Sequence, residues 1–128
     1  MRAYVGITDQ KWFEFLRSQG HLDEVNFWQP SGKQIFKALQ PGELFLFKLH
    51  APYNFIVGGG IFAYSSLIPI SLAWESFGRS NGARTLPVMR DAVGKFRKQS
   101  DNRVTDYTIG CILLEQPFFL PETAWIPV

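Results

Sequence analysis

Between Gln40 and Tyr64 the chain reads QPGELFLFKLHAPYNFIVGGGIFAY, and this stretch restricts the fold more than any other. Pro41-Gly42 is a turn signal: proline presets one φ and glycine accepts the strained φ beside it. Glu43 to Leu49 is mostly apolar with imperfect alternation, which predicts a largely buried strand. A polar and aromatic loop follows, and Phe55 to Tyr64 predicts a second strand. Inside it Gly58-Gly59-Gly60 marks a bulge, a sharp bend or the close approach of another backbone. Two such strands with a glycine corner suit a small, strongly curved sheet.

The flanking segments supply more strands and covering helices. Ala3 to Ile7 is a short apolar strand, and Thr8 or Asp9 can cap a helix that runs to about Gln19 and stops at Gly20. Trp12, Phe13 and Leu16 fall on one face of that helix, with Lys11, Glu14, Arg17 and Ser18 facing out. Val25 to Trp28 reads as a brief extended segment. Pro30 interrupts it, and Ser31 is positioned to cap a short helix over Lys33 to Leu39. Leu67 to Phe77 has helical spacing ending at Gly78. Thr85 caps a further helix, with Pro87 in its first turn and Val88, Met89, Ala92, Val93 and Phe96 as its inner face. Gln99 to Thr105 is polar and loop-like. Tyr107 to Leu114 is a strand, Gln116-Pro117 breaks it, and Phe118 to Leu120 forms a short return. Strands mixed with covering helices define an α+β class with a small curved sheet or barrel, in one domain spanning residues 1–128.

Apolar residues make up 46% of the 128 and charged residues 19%, enough to bury a core and incompatible with disorder. The net charge of +2 gives no global field for a polyanion. Locally, Arg79, Arg84, Arg90, Lys95, Arg97, Lys98 and Arg103 face only Asp91 and Asp101 in the same stretch. If they share a face they form a phosphate-binding stripe; otherwise they solvate a helix and its loop. The single cysteine, Cys111, lies in the apolar run TIGCILL and reads as a small buried hydrophobe. No CxxC spacing, secretion signal or run of about 20 apolar residues occurs, so the expectation is a soluble, cytoplasmic chain.

No catalytic or metal signature stands out. His21 and His50 are the two histidines, far apart and outside any HExxH or Cys/His pattern, so no cofactor or metal is expected. The triple glycine lacks the Gly-Lys-Ser/Thr of a phosphate loop and precedes aromatic residues rather than a helix. Asp23-Glu24 is a surface pair, since neighbours in an extended segment point to opposite faces. Binding chemistry is richer. The stretches Asn26 to Ser31 and Lys48 to Asn54 each place amide, aromatic and other polar groups together. An extruded base needs flat surfaces to stack on and fixed donors and acceptors for its edge. Phe27, Trp28 and Tyr53 are candidate platforms, and Asn26, Ser31, His50 and Asn54 are candidate edge readers. In the alternative reading Phe27 and Trp28 fill the core while the amides cap turns.

The run of motifs MRAYVGITDQKWFEFL, VNFWQPSG, PGELFLFKLHAPYNFIVGGGIFAY, SLAWESFGRSNGA and DYTIGCILLEQPFFLPETAWIPV covers nearly the whole chain. In that order it resembles the N-terminal domain of bacterial HNH-type restriction endonucleases, and more broadly the PUA superfamily with its EVE, ASCH and SRA groups. The resemblance implies a PUA-like barrel that binds duplex DNA carrying a modified base, with a 5-substituted cytosine flipped into a pocket to direct an attached HNH nuclease. The resemblance places pocket residues in the stretch Asn26 to Ser31, with Lys48 to Asn54 as the opposite wall; within them the residue types themselves make Asn26, Phe27, Trp28, Ser31, His50, Tyr53 and Asn54 the expected pocket. Arg79, Arg84, Lys95, Arg97, Lys98 and Arg103 are expected to hold phosphates, with Lys33 and Lys48 at the rim. The chain holds no His-Asn-His motif, so no catalysis is expected of it; a nuclease domain would follow in a longer parent. Two other readings stay open: an RNA-binding PUA-like module, and a small-molecule or peptide sensor.

Overall fold

A computed structural model describes residues 2–97 and 106–128. Lys98, Arg103 and the polar stretch 99–105 lie outside the described residues. The chain begins with strand β1 (Ala3–Thr8) and helix α1 (Gln10–Ser18). Asp9 caps α1 by accepting from the Trp12 amide at 3.1 Å. This satisfies one of the amides that a helix start leaves unpaired. Strand β2 (Glu24–Gln29) follows, then a long irregular segment and strand β3 (Leu44–Leu49). Strand β4 (Phe55–Pro69) runs directly into helix α2 (Ile70–Phe77) and a 3-10 turn at Gly78–Asn81, and a second 3-10 turn at Glu122–Ala124 precedes the last strand. Helix α3 (Leu86–Phe96), strand β5 (Thr108–Phe119) and the two-residue strand β6 (Ile126–Pro127) complete the fold.

The sheet order is β1-β3-β4-β5-β2, with β6 beside the start of β4. β1 pairs in parallel with β3, and every other pairing is antiparallel. The sheet is curved and open. Its bend is set at the glycines: a Cβ on Gly58 or Gly59 would collide with the Phe118 or Phe45 carbonyl, and the β4–β5 register shifts between Gly59 and Ile61. That is the corner expected from the sequence, built by bulge and close backbone approach together.

Both faces of the sheet are covered, which explains why TIGCILL is apolar throughout. Along β5, Ile112 and Leu114 join a core with Trp12, Phe13 and Leu16 of α1 and Phe45, Phe47 and Val57 of the sheet. Ile109 and Cys111 alternate to a second core with Ile70 and Ala73 of α2 and Met89 and Val93 of α3. Trp28 packs against both.

Four sequence expectations need correction. Lys33 to Leu39 is not a helix; the segment is irregular, with bends at 33, 34 and 38, and the Ser65 hydroxyl donates to the Phe36 carbonyl at 2.7 Å. Residues 67–69 belong to β4 rather than to α2, because Leu67 and Ile68 find partners in Gly110 and Ile109 of β5. β5 does not stop at Gln116: that residue adopts φ 49°, and the strand continues so that Phe118 and Phe119 pair with Gly59 and Gly58. On α3 the inward residues are Met89 and Val93, while Val88 and Phe96 remain 49% and 43% exposed.

Candidate nucleic-acid interface

β2, the N-terminus of α1 and the exposed side of α3 converge on a cleft of about 240 Å³. Its aromatic lining comes from Trp12, Phe27, Trp28 and Phe96, its apolar rim from Ile7 and Pro30, and its polar groups from Asp9, Gln29 and His50. The volume falls below the roughly 300–1,000 Å³ of drug-sized sites and suits one planar ring system. A larger groove adjoins it and shares Asp9, Trp12, Trp28 and Phe96. The cations Lys11, Arg84 and Lys95 line this second space, with Asp91 among them.

The aromatic floor is held rigidly. The Trp28 indole N–H donates to the Asn81 carbonyl at 3.0 Å, and its ring lies 6.2 Å from that of Phe96. Trp12 meets Phe27 and Phe47 edge to face at 5.3 and 5.2 Å. Behind Trp28 lies a buried polar network. Asn26 Nδ2 donates to Asn81 Oδ1 at 2.9 Å and to Cys111 Sγ at 3.3 Å. Asn81 Nδ2 in turn donates to the Ala73 and Gly78 carbonyls at 3.0 and 2.9 Å. Burial pushes the Cys111 thiol above its ordinary pKa, against the hydrogen bonds from Asn26 and Ser66, so it stays a neutral thiol.

The wall at Gln29-Pro30 is clamped as well. Arg97 Nη1 donates to the Pro30 carbonyl at 2.7 Å, and its guanidinium sits 3.9 Å from the Tyr107 ring centroid. Gly32, at φ 62°, presses so closely on Thr108 that a Cβ there would strike its carbonyl.

The structure therefore divides the residues singled out from sequence. Phe27, Trp28 and His50 line the cleft. Asn26 is fully buried in the network behind it and presents nothing to the cleft. Ser31 is exposed and accepts from the Lys33 amide, and Lys33 itself is exposed. Asn54 accepts from Lys48 Nζ at 2.8 Å, which engages both within their own loop. Tyr53 is 53% exposed and lines neither space. Of the basic stripe, Arg84 and Lys95 face the second groove, Arg79 contacts Gln19 at 3.5 Å, and Arg97 supports the wall. Sequence reasoning missed Ile7, Asp9, Gln29, Lys11 and the outward Phe96 as lining residues; nothing in the local pattern set Val88 and Phe96 apart from the inner face of α3.

Among the described residues no three of His, Cys, Asp and Glu gather in a metal-binding group, and no helix is long and apolar enough to cross a membrane. No protein-family model matches the sequence, and no curated protein does. Solved structures do. The crystal structure of the ASCH protein of Zymomonas mobilis aligns with a TM-score of 0.57 at 12% identity, covering 98% of this chain and 72% of that one. A tyrosine-to-phenylalanine variant of the same protein gives 0.58 at 10% identity, covering 94% and 77%.

The chain has the fold of an ASCH domain.

That fold is PUA-like, as the sequence resemblance implied. At such identity the likeness carries the ASCH-like fold alone, so the role of the cleft rests on this chain's own residues.

Proposed function

We propose that this chain is a nucleic-acid-binding module that takes one unstacked base into the Trp28 cleft while the adjoining backbone lies along the groove of Lys11, Arg84 and Lys95. One observation carries the reading: an aromatic cleft of single-ring size opens into a cation-lined groove and shares its floor with it. Stacking on an aromatic plane contributes about 1–3 kcal/mol per base and is available to every base. Phosphate contacts position the strand without reading sequence, so selectivity resides in the cleft. Fixing the Trp28 indole through Asn81 removes the cost of ordering it on binding.

The finer reading follows the resemblance of the sequence: the ligand is duplex DNA with a flipped, 5-substituted cytosine, and the chain directs an attached HNH nuclease. Ile7 and Pro30 supply apolar surface for a 5-methyl group. Burying one methyl adds about 0.8 kcal/mol, roughly fourfold in affinity. Preference beyond that comes from easier extrusion of the modified base.

Fluorescence anisotropy on matched duplexes, unmodified or carrying 5-methylcytosine, 5-hydroxymethylcytosine or N6-methyladenine, tests this at two salt concentrations. One modified duplex should bind about tenfold tighter than its unmodified match, and Trp28→Ala should erase that ratio in protein that remains folded by circular dichroism. Equal, salt-dependent binding of all duplexes would remove the modified-base reading. Tighter binding of single-stranded RNA than of any duplex would replace DNA by RNA as the ligand.

A further inference from the structure

Three carboxamides stand near the cleft, and two are already engaged. Asn26 is buried and donates to Asn81 and Cys111, while Asn81 donates to two carbonyls and accepts from Asn26. Asn54, the other amide that the sequence offered, accepts from Lys48 in a loop outside the lining. Gln29 is different. Its side chain lines the cleft, is only half-buried and makes no hydrogen bond among the described residues.

Its position is nevertheless fixed. Gln29 ends β2 opposite Gly110 of β5, and its side chain folds over that glycine. A Cβ at Gly110 would sit 3.2 Å from both Gln29 Cβ and Gln29 Oε1, tighter than ordinary contact. The absent Cβ therefore leaves the space that the carboxamide occupies. On its other side Arg97 holds the next residue, Pro30, by its carbonyl. An unpaired amide on a braced strand end, beside Trp28 and Phe27, has the properties of a recognition group rather than of a structural one.

We propose that Gln29 reads the edge of the base held against Trp28, an inference that rests on the nucleic-acid reading above. A carboxamide offers one acceptor oxygen and two N–H donors. It pairs in bidentate fashion with an edge that sets a donor beside an acceptor, such as the N4 amine and N3 of cytosine or the N6 amine and a ring nitrogen of adenine. A carboxylate in the same place accepts only, and suits the two adjacent donors of guanine, N1–H and the N2 amine. Gln29 is thus a specificity residue, and Gly110 a positioning residue that acts through it.

The test uses short single-stranded oligonucleotides that differ only in the central position, which is adenine, cytosine, guanine, thymine or abasic. The full chain should separate the best from the worst base by about tenfold, the discrimination expected of one bidentate pair. Gln29→Ala should compress that ranking to within about twofold while every base still outbinds the abasic strand, because stacking on Trp28 persists. Gln29→Glu should raise guanine relative to cytosine by about tenfold compared with the unaltered chain, whatever the general loss from the added charge. Gly110→Ala should flatten the ranking as Gln29→Ala does.

A ranking unchanged in both Gln29 variants would overturn the proposal and leave the base-binding cleft standing. Abasic and intact strands bound equally by the unaltered chain would overturn the base-binding cleft and the role of Gln29 with it, and so would the binding of neither these strands nor any of the matched duplexes.

Discussion

Asn26–Ser31 and Lys48–Asn54 each set an amide near an aromatic ring and a proline, yet they serve different ends. The first becomes a strand held by β5 on one side and by the Asn81 network on the other, and it supplies Phe27, Trp28, Gln29 and Pro30 to the cleft. The second is a turn at the end of β3, closed on itself by the Lys48–Asn54 bond, and gives the cleft only His50. Composition marks where recognition chemistry is available; backing decides whether it is organised. A side chain becomes a recognition group when its neighbours have already satisfied the backbone beneath it.

The largest expected effect comes from removing that backing. Asn81→Ala removes the donor to the buried Ala73 carbonyl and the half-buried Gly78 carbonyl, and leaves the buried Asn26 amide only the weak Cys111 Sγ acceptor. Each buried group left unpaired costs about 1–3 kcal/mol, so urea unfolding should show a loss of about 3 kcal/mol. An equivalent deletion in the second stretch, Asn54→Ala, should be nearly silent, and a comparable loss there would erase the contrast.

Arg97 and Lys95 sharpen the comparison at middle size, since sequence alone assigned both to phosphate. Arg97→Ala removes a charged hydrogen bond to Pro30 and the stacking on Tyr107, and should lower stability by about 1.5 kcal/mol. Lys95→Ala should leave stability within about 0.5 kcal/mol and reduce the salt slope of nucleic-acid binding by about 1. The reverse pattern would return Arg97 to the phosphate stripe. Smallest of all is Tyr53→Ala: at 53% exposure and outside the cleft, it should change neither unfolding nor affinity by more than about 0.5 kcal/mol.

Local signals explain what could be read in advance. Asp9 and Thr85 fall where helix caps belong, and both cap, through bonds to Trp12 and Val88. The apolar face of Trp12, Phe13 and Leu16 is the buried face of α1. Gly58–Gly60 sits at the bend. Expectations failed where a distant partner outweighed local pattern. Lys33 to Leu39 has helical spacing, but Leu39 is buried in the first core and Phe36 packs partly against it while its carbonyl is taken by Ser65, far along the chain. Leu67 and Ile68 pair with β5 instead of starting α2.

The site was half legible for the same reason. Phe27, Trp28 and His50 were visible by residue type. Asn26 was misplaced because nothing local announces that Asn81, 55 positions later, claims its amide. Gln29 was passed over because what makes it available is the missing side chain of Gly110 on another strand. The polar groups with the most suggestive chemistry were the ones the fold used for itself.

Trp28 touches both cores, the one under α1 and the one under α2 and α3, on opposite faces of a single sheet. A molecule resting on that indole is therefore linked thermodynamically to two packing units at once. If the halves open separately, binding suppresses either opening that disturbs Trp28, and their fluctuations become correlated through the ligand. Occupancy at one small cleft would then register as slower amide exchange on both sides of the sheet, including in α2, which lines neither the cleft nor the groove beside it.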